Sequence, residues 1–236
     1  MNKALPVFRR ELSAYFFSPM AYIVISVFLL ITGWFFTSEM FLSDESSLRS
    51  VFNIIPFIFI FFVPAITMRL LSEEKKSGTI ELLVTMPITD LEIVLGKYFA
   101  GLGLLFAAML FTFPFALTVM LLGNPDIGMM VCGYLGLVLM GAAYVAIGIF
   151  ASTISGSQVI SFIIAFLMIF VLWLIDKFLM IMPAWTVPVL QFLSIDYHFA
   201  NISRGVIDSR DVLYYLSLIV FMISLSKLSL ESRKWN

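Results

Sequence analysis

An all-α membrane protein with six transmembrane helices is the fold class this sequence predicts, and three observations carry it. Of its 236 residues 61% are hydrophobic and only 12% charged, where soluble domains carry roughly 25% charged residues. A globule of this length would lack the polar shell that water requires, so the missing surface faces lipid. Six stretches are long and apolar enough to cross a hydrocarbon core about 30 Å thick, which takes about 20 residues at a rise of 1.5 Å. The polar–apolar alternation of a membrane barrel is absent, which leaves helices.

Taken in order, the spans cover about residues 21–36, 54–71, 99–122, 127–151, 159–175 and 212–226. No small-x-small site closes the first, so it is expected to remain as an anchor and not to be cleaved. Pro64 in the second and Pro114 in the third are expected to kink their helices. Ten basic residues fall on one side of the membrane: Lys3, Arg9, Arg10, Arg69, Lys75, Lys76, Lys97, Lys227, Arg233 and Lys234. Four fall on the other: Arg49, Lys177, Arg204 and Arg210. By the positive-inside rule both termini are cytoplasmic.

Several functions are excluded or weakened. A formal net charge of −1 leaves no basic excess for nucleic acid. With one cysteine, Cys132, and one histidine, His198, neither a disulfide framework nor a metal site is expected. Secondary transport normally needs ionisable groups inside the bundle. Here Glu39, Arg69, Lys97, Asp176 and Asp211 are read at span ends, where snorkelling suffices. An intramembrane protease would need a serine beside a histidine, yet Ser155 and Ser157 lie on the inner side and His198 in the outer loop. No catalytic residue is therefore expected, and His198 is read as a structural hydrogen-bond donor. The small residues Gly133, Gly136, Gly141, Gly148, Ser152 and Ser155 on the fourth span suit close helix packing.

Three segments outside the spans stand out within the single domain 1–236. Residues 6–17 place Phe8, Leu12, Tyr15 and Phe16 on one helical face and Arg9, Arg10 and Ser13 on the other, with Pro6 in the first turn, as in a helix lying along the inner surface. The outer connection 177–210 begins with an apolar run, 178–193, broken by Pro183 and Pro188. It is too short and interrupted to span, and is expected as helical pieces that re-enter the outer leaflet or cap the bundle. Between spans two and three, Gly78 can end one helix and Thr79 can cap another that stops before Pro87, with Thr89 or Asp90 capping the next. On the residues alone this segment fits a solvated linker as well as a docking helix.

Here Glu74, Gly78, Thr79, Glu81, Leu82, Leu83, Thr85 and Pro87 carry a resemblance: they match the E-x-x-x-G-T-x-E-x-L-x-x-x-P signature of ABC-2 type permeases. His198-Phe199, the run from Ser203 through Arg204 and Asp208 to Val212, and the C-terminal 230–235 resemble the gliding-motility subgroup of that family. The resemblance implies that 6–17 is an elbow helix, that 79–86 within the segment 72–96 is the main coupling helix, and that the turn with Ser155 and Gly156 is a second ATPase contact. It implies two permeases, a homodimer or a related pair, on two copies of a separate cytoplasmic ABC ATPase, in a bacterial inner (cytoplasmic) membrane. ATP and Mg would bind that ATPase and no cofactor would bind this chain, which agrees with its lack of a G-x-x-x-x-G-K-[ST] loop: Gly96-Lys97 is followed by Tyr98. Export or extrusion of an envelope-associated or hydrophobic substrate is the expected function. The alternative is a membrane anchor that passes ATPase motion to an extracytoplasmic partner, met by Pro183, Pro188, His198, Arg204 and Asp208, without transport.

Overall fold

Caps and prolines set the helix boundaries. The computed structural model describes residues 4–43, 48–79, 88–123, 125–179, 181–183 and 185–232. Helix α1 (Ala4–Phe17) is followed at once by α2 (Pro19–Ser43), with Pro19 in the first turn, where its missing N–H costs nothing. Helix α3 (Arg49–Thr67) runs through Pro56 and Pro64, and a turn leads into the short α4 (Ser72–Lys76). Gly78 follows with φ +73°, the left-handed conformation that ends helices. Helix α5 (Asp90–Leu110) opens on a capping box: the Thr89 hydroxyl accepts from the Glu92 N–H, and the Glu92 carboxylate accepts from the Thr89 N–H.

The third span is divided, because Pro114 has no N–H to continue the ladder. α5 ends before Thr112 and α6 (Phe113–Leu122) begins anew. Thr112 satisfies the Met109 carbonyl, and Tyr134 donates to the Thr112 carbonyl at 3.2 Å. α3, by contrast, is not divided at Pro64. Asp126 caps α7 (Ile127–Ile154) and the turn at Ser155 leads to α8 (Gln158–Phe178). Then come α9 (Val187–Leu193), α10 (Ile195–Ser203) capped by Ser194, and α11 (Ser209–Glu231) capped by Asp208.

Six segments are long and apolar enough to cross a membrane: Pro19–Met40, Arg49–Lys76, Asp90–Leu122, Ile127–Ile154, Gln158–Phe178 and Ser209–Glu231. Several reach further than hydropathy indicates, since a capped helix carries on through polar turns that lipid never meets. α7 is the hub, with 78% of its apolar window buried against 17% for α8. Its glycines explain the contact: a Cβ on Gly133 would sit 2.4 Å from Phe52, one on Gly141 2.7 Å from Leu105 and one on Gly148 2.1 Å from Thr67. α1 lies against α5 by the same device, a Cβ on Gly96 falling 2.7 Å from Val7 and one on Gly103 2.9 Å from Leu12. The expected coupling helix lies, from residue 80 onward, outside the described residues.

Candidate functional sites at the two ends of the bundle

At one end, four elements converge on the turn between α3 and α4. Lys97, on the second turn of α5, is 1% exposed. Its ammonium lies 2.9 Å from Glu74 Oε1 on α4 and 3.1 Å from Glu11 Oε1 on α1, and it donates to the Leu70 carbonyl at 2.5 Å. Lysine has three protons to donate, and each has an acceptor from a different element. The expectation that Lys97 snorkels is therefore corrected: α1 covers it, and carboxylates brought to it replace water. Arg10, its side chain 64% exposed, reaches Glu74 at 3.5 Å, an exposed contact of small energetic weight. Removing one partner from a buried ion cluster costs about 3–5 kcal/mol, so Lys97 dominates.

The same turn is held from the other side by α7. The Ser152 hydroxyl accepts from the Leu71 N–H at 2.9 Å and the Ser72 N–H at 3.0 Å, and donates to the Met68 carbonyl at 3.3 Å. Backbone groups freed where α3 stops are thus satisfied by side chains from α5 and α7. Tyr15 of α1 donates to the Ile66 carbonyl, and Arg69 lies 5.0 Å over its ring. Burial holds the Tyr15 phenol well above its usual range, with Arg69 pulling the other way.

Of the predicted site residues at this end, Glu74 joins the cluster. Gly78 ends α4, and the Thr79 and Ser77 hydroxyls lie 2.8 Å apart. Tyr15 is buried, Phe8, Leu12 and Phe16 are half-buried, and Arg9 and Arg10 are exposed. Ser155 bonds the backbone of Ser157, and a Cβ on Gly156 would meet nothing within 4 Å. Glu81, Leu82, Leu83, Thr85 and Pro87 lie outside the described residues. Sequence reasoning missed Glu11, Lys97 and Ser152 as one constellation. Glu11 had a signal, since it sits three residues after Phe8 and four before Tyr15, a carboxylate on an otherwise apolar helical face.

The second site lies further along α7, where Gly136 meets Phe199 and Ile202, 16 residues or about 24 Å from Ser152. There α9, α10 and α11 form a corner whose open carbonyls are capped by side chains. His198 Nδ1 is 2.6 Å from Asp211 Oδ1 and its Nε2 is 3.0 Å from the Phe192 carbonyl. Tyr214 donates to the Leu193 carbonyl and Tyr215 to that of Ile195, both at 2.8 Å. The Tyr214 ring stacks on His198 with centroids 4.0 Å apart. Asp211 does lie at the start of the last span but does not snorkel to water: it is 4% exposed beneath this corner, where His198 supplies its partner. Lys177 bridges to Asp196 at 2.7 Å and lies 5.2 Å over Trp173. Burial pushes the Asp196 carboxyl above the usual carboxylate range against the pull of Lys177.

A groove of about 580 Å³ opens beside the corner, lined among others by Pro188, Tyr197, His198, Asn201, Asp208 and Arg210. Asp208 also caps α11. Arg204 ends α10 and lines a smaller groove with Arg49 and Asn53, and the Pro183 carbonyl accepts from Thr186. The apolar run that opens this connection keeps its side chains outward: Ile181 is 78%, Trp185 80% and Phe192 63% exposed. Burial in this connection belongs to the next helix, through Ile195, Phe199 and Ile202. Among the described residues no group of three or more histidine, cysteine or acidic side chains is placed to hold a metal.

No curated protein matches the chain. A family model described as "ABC-2 family transporter protein" matches residues 35–232, a stretch that takes in all of α3 to α11 and both ends of the bundle. With six apolar helices and that match over most of its length, the chain belongs to the ABC-2 transporter family and is a multi-pass membrane permease.

Proposed function

We propose that this permease couples ATP hydrolysis on a separate cytoplasmic ABC ATPase to export or extrusion of an envelope-associated or hydrophobic substrate. Members of the family generally work with such an ATPase and a second permease. The observation that carries the coupling reading is the fixing of the α3–α4 connection. A solvated linker has no need of a buried lysine, a carboxylate and a serine, each from a different other helix, gathered around it. A stretch held this way can bear load, and the signature shared with the family begins in it at Glu74 and runs on through residues 80–87.

In this reading both termini are cytoplasmic, as the asymmetry of basic residues supports. α1 acts as the elbow helix, 72–96 with its coupling helix docks on one ATPase, and the turn at Ser155 and Gly156 makes a second contact. The working unit is two permeases on two ATPases, with ATP and Mg on the latter, in a bacterial inner membrane. The assignment to the gliding-motility subgroup rests on the resemblance of residues 198–212 and 230–235. A specific observation favours a second reading, in which the chain passes ATPase motion to an extracytoplasmic partner without transport: the outer connection leaves Ile181, Trp185 and Phe192 exposed, and Phe192 also lines the 580 Å³ groove, a surface suited to lipid or protein.

Leu82→Glu tests the coupling reading. It is expected to abolish copurification of the ATPase from native membranes while leaving the permease inserted. Unchanged copurification and ATP turnover would count against it. ATP-dependent movement of native membrane lipid, or of whatever copurifies, across a vesicle bilayer separates transport from anchoring.

A further inference from the structure

Resting on the coupling reading, we infer that Lys97 is the positioning residue that makes α1, α4 and α5 move as one body, so that displacement of residues 72–79 reaches two helices at once. A buried ammonium is tolerated only where every proton has an acceptor and the charge is balanced. Lys97 meets that condition only while three elements are assembled, because its acceptors come from α1, α4 and the turn between α3 and α4.

Shift α4 away from α5 and the ammonium loses both Glu74 and the Leu70 carbonyl together. Glu74 would then keep only the exposed Arg10 as a charged partner, and Lys97 only Glu11. Partial separation therefore strips a buried ammonium of two of its three acceptors at once, and that cost is what makes the contact a rigid joint. Gly96, the residue before Lys97, brings the α1 backbone close enough for Glu11 to reach, with the Ala4 carbonyl 2.9 Å from where a Cβ would stand. On the opposite side Ser152 offers only neutral hydrogen bonds, which are weaker than charge-assisted ones. The α5 side of the turn is thus held harder than the α7 side.

Spin labels at Phe17→Cys and Lys76→Cys, both exposed, in a Cys132→Ser background measure the joint directly. In the permease reconstituted with its ATPase, the 17–76 distance is expected to be the same with no nucleotide and with vanadate-trapped ADP. Lys97→Met is expected to spread that distance over more than about 5 Å, one helical turn. The ATPase should still copurify, while the permease-dependent part of ATP hydrolysis falls about tenfold, a loss a merely structural lysine would not produce. Glu11→Gln should spread the 17–76 distance but leave a pair on Lys76 and Leu110 narrow, because only the α1 arm is cut. It also carries the test if Lys97→Met does not insert.

An unchanged distribution in both variants overturns the inference, as does a 17–76 distance that shifts on trapping in the unaltered chain. If the unaltered permease fails to retain the ATPase, the coupling reading falls instead. Label distances in the permease alone then still decide whether Lys97 ties the three elements.

Discussion

Every proton on the Lys97 ammonium has an acceptor, whereas the Tyr144 hydroxyl, on the fully buried face of α7, has none among the described residues. The two are opposite solutions to burying a polar atom, and they respond oppositely to mutation. An unsatisfied buried hydroxyl costs about 1–3 kcal/mol, so Tyr144→Phe is expected to raise the thermal unfolding midpoint in detergent. A lowered midpoint would mean that the hydroxyl has a partner after all. Legibility at this scale follows from locality. Thr89 could be read as a cap because Glu92 is three residues away, whereas Asp126 and Asp208, equally local caps, read from the sequence as turn and loop. Lys97 could not be read as buried, because Glu11 is 86 residues distant in sequence and Glu74 belongs to another helix.

Helices are where composition speaks most directly, and where it stops at their ends. Hydropathy located all six spans, yet missed that α5 starts at Asp90, well before its apolar stretch. The break before Pro114 was visible in the residue itself, while α3 runs on through Pro64 to Thr67. The small residues of α7 were legible as packing material, but which helix each one meets was not. Gly148→Ala is expected to cost about 1–3 kcal/mol by overpacking, since its Cβ would fall 2.1 Å from Thr67 Oγ1. Gly156→Ala, with open space around it, should stay within about 0.5 kcal/mol. Unfolding midpoints of the two variants in one detergent check the contrast, and equal midpoints would contradict it.

For the whole molecule the ordering of charge matters more than its amount. Ten of the fourteen basic residues belong to the N-terminal segment, the connection between spans two and three, and the C-terminal tail, and membrane insertion keeps such residues inside. An impermeant maleimide is therefore expected to label Lys76→Cys only from the cytoplasmic side and Val206→Cys only from the outside; labelling of residue 76 from outside would invert the topology. The sequence by itself determined that this chain crosses a membrane six times, where the third span's helix is capped, and which family its 74–87 signature resembles, because hydropathy, capping and short motifs are properties of neighbouring residues. Only the tertiary structure decided that α7 is the hub, that Lys97, Glu11, Glu74 and Ser152 hold one turn, and that His198 belongs to Asp211. Those pairings join residues from different elements, and a charge becomes an anchor only when packing removes the water it would otherwise have kept.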